Sequence, residues 1–181
     1  MVDRIIDPVV YSKNVIELVT VANEYCKYIE NIGDENIQDT IGKIQKLLPL
    51  LYLKASIIPQ FESEEAGAEK FVTEVEYHIL QQRITNMLGK FDDYLELISD
   101  DFKVNDTPFL MTISENLADI YQDLKDFLLS YRIGDEIVMR ESLWVCMDNF
   151  RNYWGQKLVN TLKMLHFLIY NPEGITSEDE L

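Results

Sequence analysis

Apolar residues recur every three or four positions along almost the whole chain, and a chain spaced this way has to bury helical stripes. Val15, Leu18, Ala22, Tyr25 and Ile29 form one stripe. Ile37, Ile41, Ile44, Leu48, Leu51, Ala55 and Ile58 form a second, and Leu47, Leu50 and Leu53 add apolar surface on its other sides. A helix apolar on most sides belongs at the centre of a bundle. Tyr77, Leu80, Ile84, Met87 and Leu88 form a third stripe, and Ile113, Leu117, Ile120, Leu124, Phe127 and Tyr131 a fourth. Only 7 Gly and 5 Pro interrupt the 181 residues, too few for the turns of a sandwich or barrel. The expectation is an all-α irregular bundle of five to seven helices with no sheet. It forms a single domain over 1–170, followed by a frayed acidic tail over 171–181.

Punctuation residues place the boundaries. Asp7 and Pro8 read as an N-cap and first helical residue, and Gly33 as the stop of helix one. Asp34 reads as the cap of helix two, Pro49 as a kink inside it and Pro59 as its end. Residues 60–70 read as a loop. Thr73 and Glu76 stand at capping-box spacing, with Val72 and Tyr77 at the hydrophobic-staple positions. Gly89 closes helix three, and a short helix is expected over 91–98, then a polar loop over 100–106. Thr107 and Pro108 open helix four, and Asp135 caps the region 136–170, which reads as one helix or as two parted at Gly155.

Charge excludes several functions. There are 32 acidic and 16 basic side chains, a net charge of −16. That field repels phosphate backbones and anionic lipid, so no nucleic acid is expected as a partner. The longest apolar run, Leu47 to Leu53, contains a proline and falls far short of the roughly 20 residues of a membrane span, so no membrane association is expected either. The first residues, Met1 to Pro8, carry charges where a signal peptide needs an apolar run. Cys26 and Cys146 stand alone in apolar stretches and read as buried free thiols of a reducing compartment. A cytoplasmic location is the expectation.

Three stretches carry a resemblance. Thr107-Pro108-Phe109 runs on into Ser114-Glu115-Asn116-Leu117-Ala118-Asp119-Ile120-Tyr121-Gln122-Asp123-Leu124-Lys125-Asp126-Phe127. Asn149-Phe150-Arg151-Asn152-Tyr153-Trp154-Gly155-Gln156-Lys157-Leu158 follows, with Leu165-His166 beyond it. With Leu47-Leu48-Pro49-Leu50-Leu51, they resemble a bacterial family catalogued only as a domain of unknown function, over most of the chain. The resemblance implies a helical single domain and transfers no site or substrate.

Few residues have the spacing that chemistry needs. Asn116, Asp119, Asp123 and Asp126 fall at i, i+3, i+7 and i+10, one stripe beside the apolar seam of helix four. Asp119, Asp123 and Asp126 are the candidate ligands of Mg²⁺ or Ca²⁺, which take hard oxygens. The competing reading pairs them internally, with Arg140 and Arg151 as the expected partners, or leaves them a solvated face. A di-iron bundle needs Glu-x-x-His on two helices; Glu74 stands four before His78, and no acid precedes His166 at three or four. His78 is expected to be exposed and His166 to be a hydrogen-bonded packing element. A Cys146–His166 nucleophile pair would need two helices to fold back on each other. Trp144, Tyr153 and Trp154 crowd one region with Phe150, and are read either as ordinary core or as anchors of a partner-binding groove.

No glycine-rich phosphate loop, serine elbow or zinc cluster occurs, so no catalytic residue and no obligatory cofactor is assigned, and an enzyme is not the first expectation. A non-enzymatic protein-protein interaction module is, with a protein partner carrying a basic segment. A divalent-metal-binding protein or metal-dependent enzyme built on the acidic stripe is the first alternative. A structural or oligomerising domain is the second. The oligomeric state is not written in the chain.

Overall fold

The computed structural model describes residues 9–33, 36–62, 67–96, 108–171 and 175. Asp7, Pro8 and Asp34, which the sequence reading used as boundary signals, lie outside them. Helix α1 (Lys13–Glu30) is capped by the Ser12 hydroxyl, which accepts the Val15 N–H, and α2 (Ile37–Ser56) by Asn36, which accepts the N–H groups of Gln38 and Asp39. Helix α2 is continuous through Pro49. Helix α3 (Glu74–Leu88) starts at the expected capping box: Thr73 Oγ1 accepts the Glu76 N–H, and the Glu76 carboxylate accepts the Thr73 N–H. Gly89 closes it at φ 53°, a left-handed value that suits glycine.

The chain then departs from expectation. Where a helix is expected over 91–98, the described residues, which end at 96, form a single 3₁₀ turn (Gly89–Phe91) and strand β1 (Asp93–Glu96). Strand β1 pairs antiparallel with β2 (Phe109–Thr112), setting Tyr94 opposite Met111 and Leu95 opposite Leu110. The fold is therefore mostly helical with a small two-stranded sheet, not sheet-free. Short apolar runs fit either period, and here pairing with a distant segment decides. The strand also moves the next helix start. Helix α4 (Ile113–Arg132) begins after Thr112, five residues beyond Thr107. Asp92, buried, accepts both the Ser114 N–H (2.7 Å) and the Ser114 hydroxyl (2.6 Å), so an anion sits at the positive end of α4.

Helix α5 (Glu136–Asn149) is capped by Asp135 as expected. A π-helical turn (Phe150–Trp154) joins it to α6 (Gly155–Tyr170) without a break, so 136–170 is one rod with a widened turn. A Cβ at Gly155 would sit inside contact distance of the Phe150 carbonyl oxygen, which explains the glycine. Of the tail, only Asn171 and Ile175 are described. The Ile175 N–H donates to the Leu168 carbonyl at 3.0 Å, and its side chain is buried.

Helix α4 touches α1, α3, α5 and α6 and is the centre of the bundle. Helix α2 packs between α1 and α6 on the outside, not at the centre. Its core stripe (Ile41, Ile44, Leu48, Leu51, Ala55) is buried as read, but Leu50, Leu53 and Ile57 on the opposite side are 41%, 52% and 40% exposed. Among the described residues no helix is long and apolar enough to cross a membrane.

Candidate functional site

Helix α4 sets the acidic stripe along the seams between α3, α5 and α6, and each carboxylate meets a different partner. Asp119 is 7% exposed. It accepts the hydroxyls of Tyr77 from α3 and Tyr153 from the π turn, each at 2.7 Å, and forms a 2.7 Å ion pair with Lys157 of α6. Three elements are therefore tied at one buried carboxylate. Burial, then the bond to Asp119, pushes both phenols well above the ordinary tyrosine range, so neither is a base at physiological pH. Asp126 accepts the backbone N–H groups of Phe71 and Val72, both at 2.8 Å, and so fixes the entry to α3. Asn116, buried, donates to the Tyr94 hydroxyl at 2.7 Å and holds the hairpin onto α4.

Asp123 differs. It accepts one hydrogen bond, from Asn149 Nδ2 at 2.6 Å, and lines a cavity of about 70 Å³ between α4, α5 and residues 68–70. Burial raises its carboxyl to about 6 against the pull of Asn149, and the charges of Asp126 and Asp119 raise it further. Asp126 is raised as well, by burial first. The stripe does not present three carboxylates to one point: the ammonium of Lys157 holds Asp119, and backbone N–H groups hold Asp126. Among the described residues no group of three or more His, Cys, Asp or Glu is arranged to hold a metal ion.

The arginines named as partners point elsewhere. Arg140 donates to the Glu62 carbonyl and lies over the Phe61 ring, and Arg151 is exposed. The partner of Asp119 is Lys157, thirty-eight residues away, and nothing local in the sequence marks that pairing. His78 is exposed beside Glu74 as expected. His166 is exposed too, tilted against Tyr170, and not a packing element of the core. Cys146 is buried, which holds its thiol far above the reactive range.

The aromatic cluster divides. Trp154 is fully buried, and its indole N–H donates to the Cys146 carbonyl at 3.0 Å, so it is core. Trp144 is half-buried, and Tyr153 is exposed while its hydroxyl is held by Asp119. A further apolar surplus, besides the exposed hairpin residues Leu95, Phe109 and Leu110, is the outer ridge of α2. Leu50, Leu53 and Ile57 stand at i, i+3 and i+7, beside Pro49. The excess at Leu50 and Leu53 is legible in the sequence; that it faces outward, and that Ile57 joins it, is not.

The model of a family described as "Domain of unknown function (DUF5063)" matches residues 9–171. Among solved structures, the crystal structure of protein BF1032 from Bacteroides fragilis, a structural genomics target, is 41% identical to the chain. The match covers 93% of this chain and 99% of that one, with a TM-score of 0.82. No curated protein matches.

Proposed function

The chain belongs to the family described as a domain of unknown function, a membership that supplies a fold and no chemistry, and from the geometry we propose a non-enzymatic protein-interaction module whose docking face is the outside of α2. One observation carries this reading. Helix α2 has the all-round apolar composition of a central helix, yet it lies at the periphery with Leu50, Leu53 and Ile57 exposed. Apolar side chains at this spacing are what a helix offers to a second helix laid across it. Roughly 25 cal/mol is gained per Å² of such surface removed from water. The internal engagement of Asp119 and Asp126 is in keeping with the same reading, since those two carboxylates are taken up in holding the fold.

The test is a paired capture from lysate of the producing cells, with the intact protein and a Leu50→Gln/Leu53→Gln variant as baits. Both positions are exposed, so circular dichroism and the unfolding midpoint should stay near wild type. The expected result is a stoichiometric partner retained by the wild type and lost by the folded variant. Identical captures by the two baits would remove α2 from the function.

A further inference from the structure

The net charge of −16 suggests a basic partner, but charge is not spread evenly over the fold. Helix α2, the π turn and α6 together hold six basic side chains and one acid, Asp39. The rest of the chain is left with ten bases and thirty-one acids. Helices α2 and α6 pack side by side, so basic residues are enriched along one side of the bundle. Part of that charge is turned inward: Lys157 meets Asp119, and Lys54 meets Glu17 of α1 at 2.6 Å. Lys46 on α2, Arg151 on the π turn and Lys163 on α6 are exposed, on the helices that also expose Leu53 and Val159.

Resting on the reading of α2 as a docking face, we infer that its occupant is an acidic amphipathic helix of another protein. The Leu50–Leu53–Ile57 ridge takes the apolar stripe of such a helix. Carboxylates flanking that stripe meet Lys46 and Lys163, a complementarity that sets partner choice and orientation more than raw affinity. At physiological salt, where the Debye length is about 8 Å, charges beside the ridge count for more than charges elsewhere on the fold, and on α2 these include Lys46, with Asp39 two turns before it. A basic helix would meet them with like charge. A second copy in an isologous contact would set lysines against lysines, and in a head-to-tail contact would form an assembly that does not close. Nucleic acid and anionic membrane are extended surfaces that would also come up against the acidic remainder of the fold.

Two fluorescein-labelled helical peptides of about five turns provide the probe, long enough to hold helical structure on a surface. Both carry leucines at i, i+3 and i+7; one carries Glu and the other Lys at the flanking positions. In fluorescence polarisation with the full chain, the Glu peptide should bind about tenfold tighter or more than the Lys peptide. Lys46→Glu with Lys163→Glu should abolish that preference, and Leu53→Gln should weaken the Glu peptide. Equal binding of the two peptides that Leu53→Gln still weakens would overturn the charge inference and leave the docking face standing. Tighter binding of the Lys peptide, unaffected by Leu53→Gln, would overturn both. Cosedimentation with phosphatidylserine vesicles that is lost in Leu53→Gln would replace the protein partner with a membrane. A Leu53-dependent dimer in light scattering would replace it with a second copy.

Discussion

Replacing Asp123 by Asn should stabilise the protein at neutral and alkaline pH, although the residue is polar, buried and hydrogen-bonded. Asn Oδ1 can still accept from Asn149 Nδ2, so the bond at 2.6 Å is kept while the charge goes, and the new amide NH2 lies at a cavity where water can accept from it. The carboxyl rises from 3.8 to about 6 because burial and two neighbouring carboxylates penalise its ionised form. Each pH unit is worth 1.36 kcal/mol, which gives about 3 kcal/mol, or about 2 after screening of the exposed part. The sign follows from proton binding. Between 3.8 and about 6 the native state holds more proton at this site than the unfolded state, so the wild type loses stability as pH rises through that window. The full penalty is present above it. For a chain of 181 residues the substitution should raise the unfolding midpoint by about 4–8 °C at pH 8, at 2–4 °C per kcal/mol. The gain should shrink towards zero as pH approaches 4. Differential scanning fluorimetry of both proteins from pH 4.5 to 8 measures this directly. A lower midpoint for the Asn variant at pH 8 would refute the reasoning, because it would mean that the charged carboxylate is stabilised there, as by a bound cation. A gain independent of pH would refute the assignment to ionisation.

Two further substitutions probe the frame around that residue. Asp119→Ala leaves the Lys157 ammonium and two phenols without their acceptor, and should cost about 3–5 kcal/mol in chemical denaturation. A cost below about 1 kcal/mol would mean that the ion pair is dispensable. Gly155→Ala puts a Cβ against the Phe150 carbonyl, a backbone atom that cannot swing aside, and should cost more than about 3 kcal/mol although alanine is the better helix former. An unchanged midpoint would show that the π turn relaxes freely.

Local patterns in the chain were readable because local physics sets them. Val15, Leu18, Ala22, Tyr25 and Ile29 are all buried, and the Thr73–Glu76 box closes as its spacing requires. The hairpin was not readable, because Asp93–Glu96 acquires its extended form only by pairing with Phe109–Thr112, a contact whose signal is spread over two distant segments. The acidic stripe was visible as a stripe, but its meaning depends on Tyr77, Tyr153 and Lys157, which tertiary packing brings from three other elements. Helix α2 was misplaced for a related reason. Periodicity counts apolar faces and does not say whether the surface that covers each one belongs to the same chain.

The widened turn between α5 and α6 governs phase. Cys146 and Leu158, both buried, stand twelve residues apart. At about 100° per residue a regular helix would place them about 120° out of register. Absorbing one extra residue reduces the offset to about 20°, so a single stripe continues from α5 into α6. Removing one residue inside Phe150–Trp154 would return the rod to ordinary winding and leave that stripe in phase. Removing one from the middle of α5 or α6 would instead turn the residues beyond it by about 100° against the core. The widened turn is also where Tyr153 leaves the rod to meet Asp119, so one local irregularity serves both the phase of the stripe and the buried carboxylate.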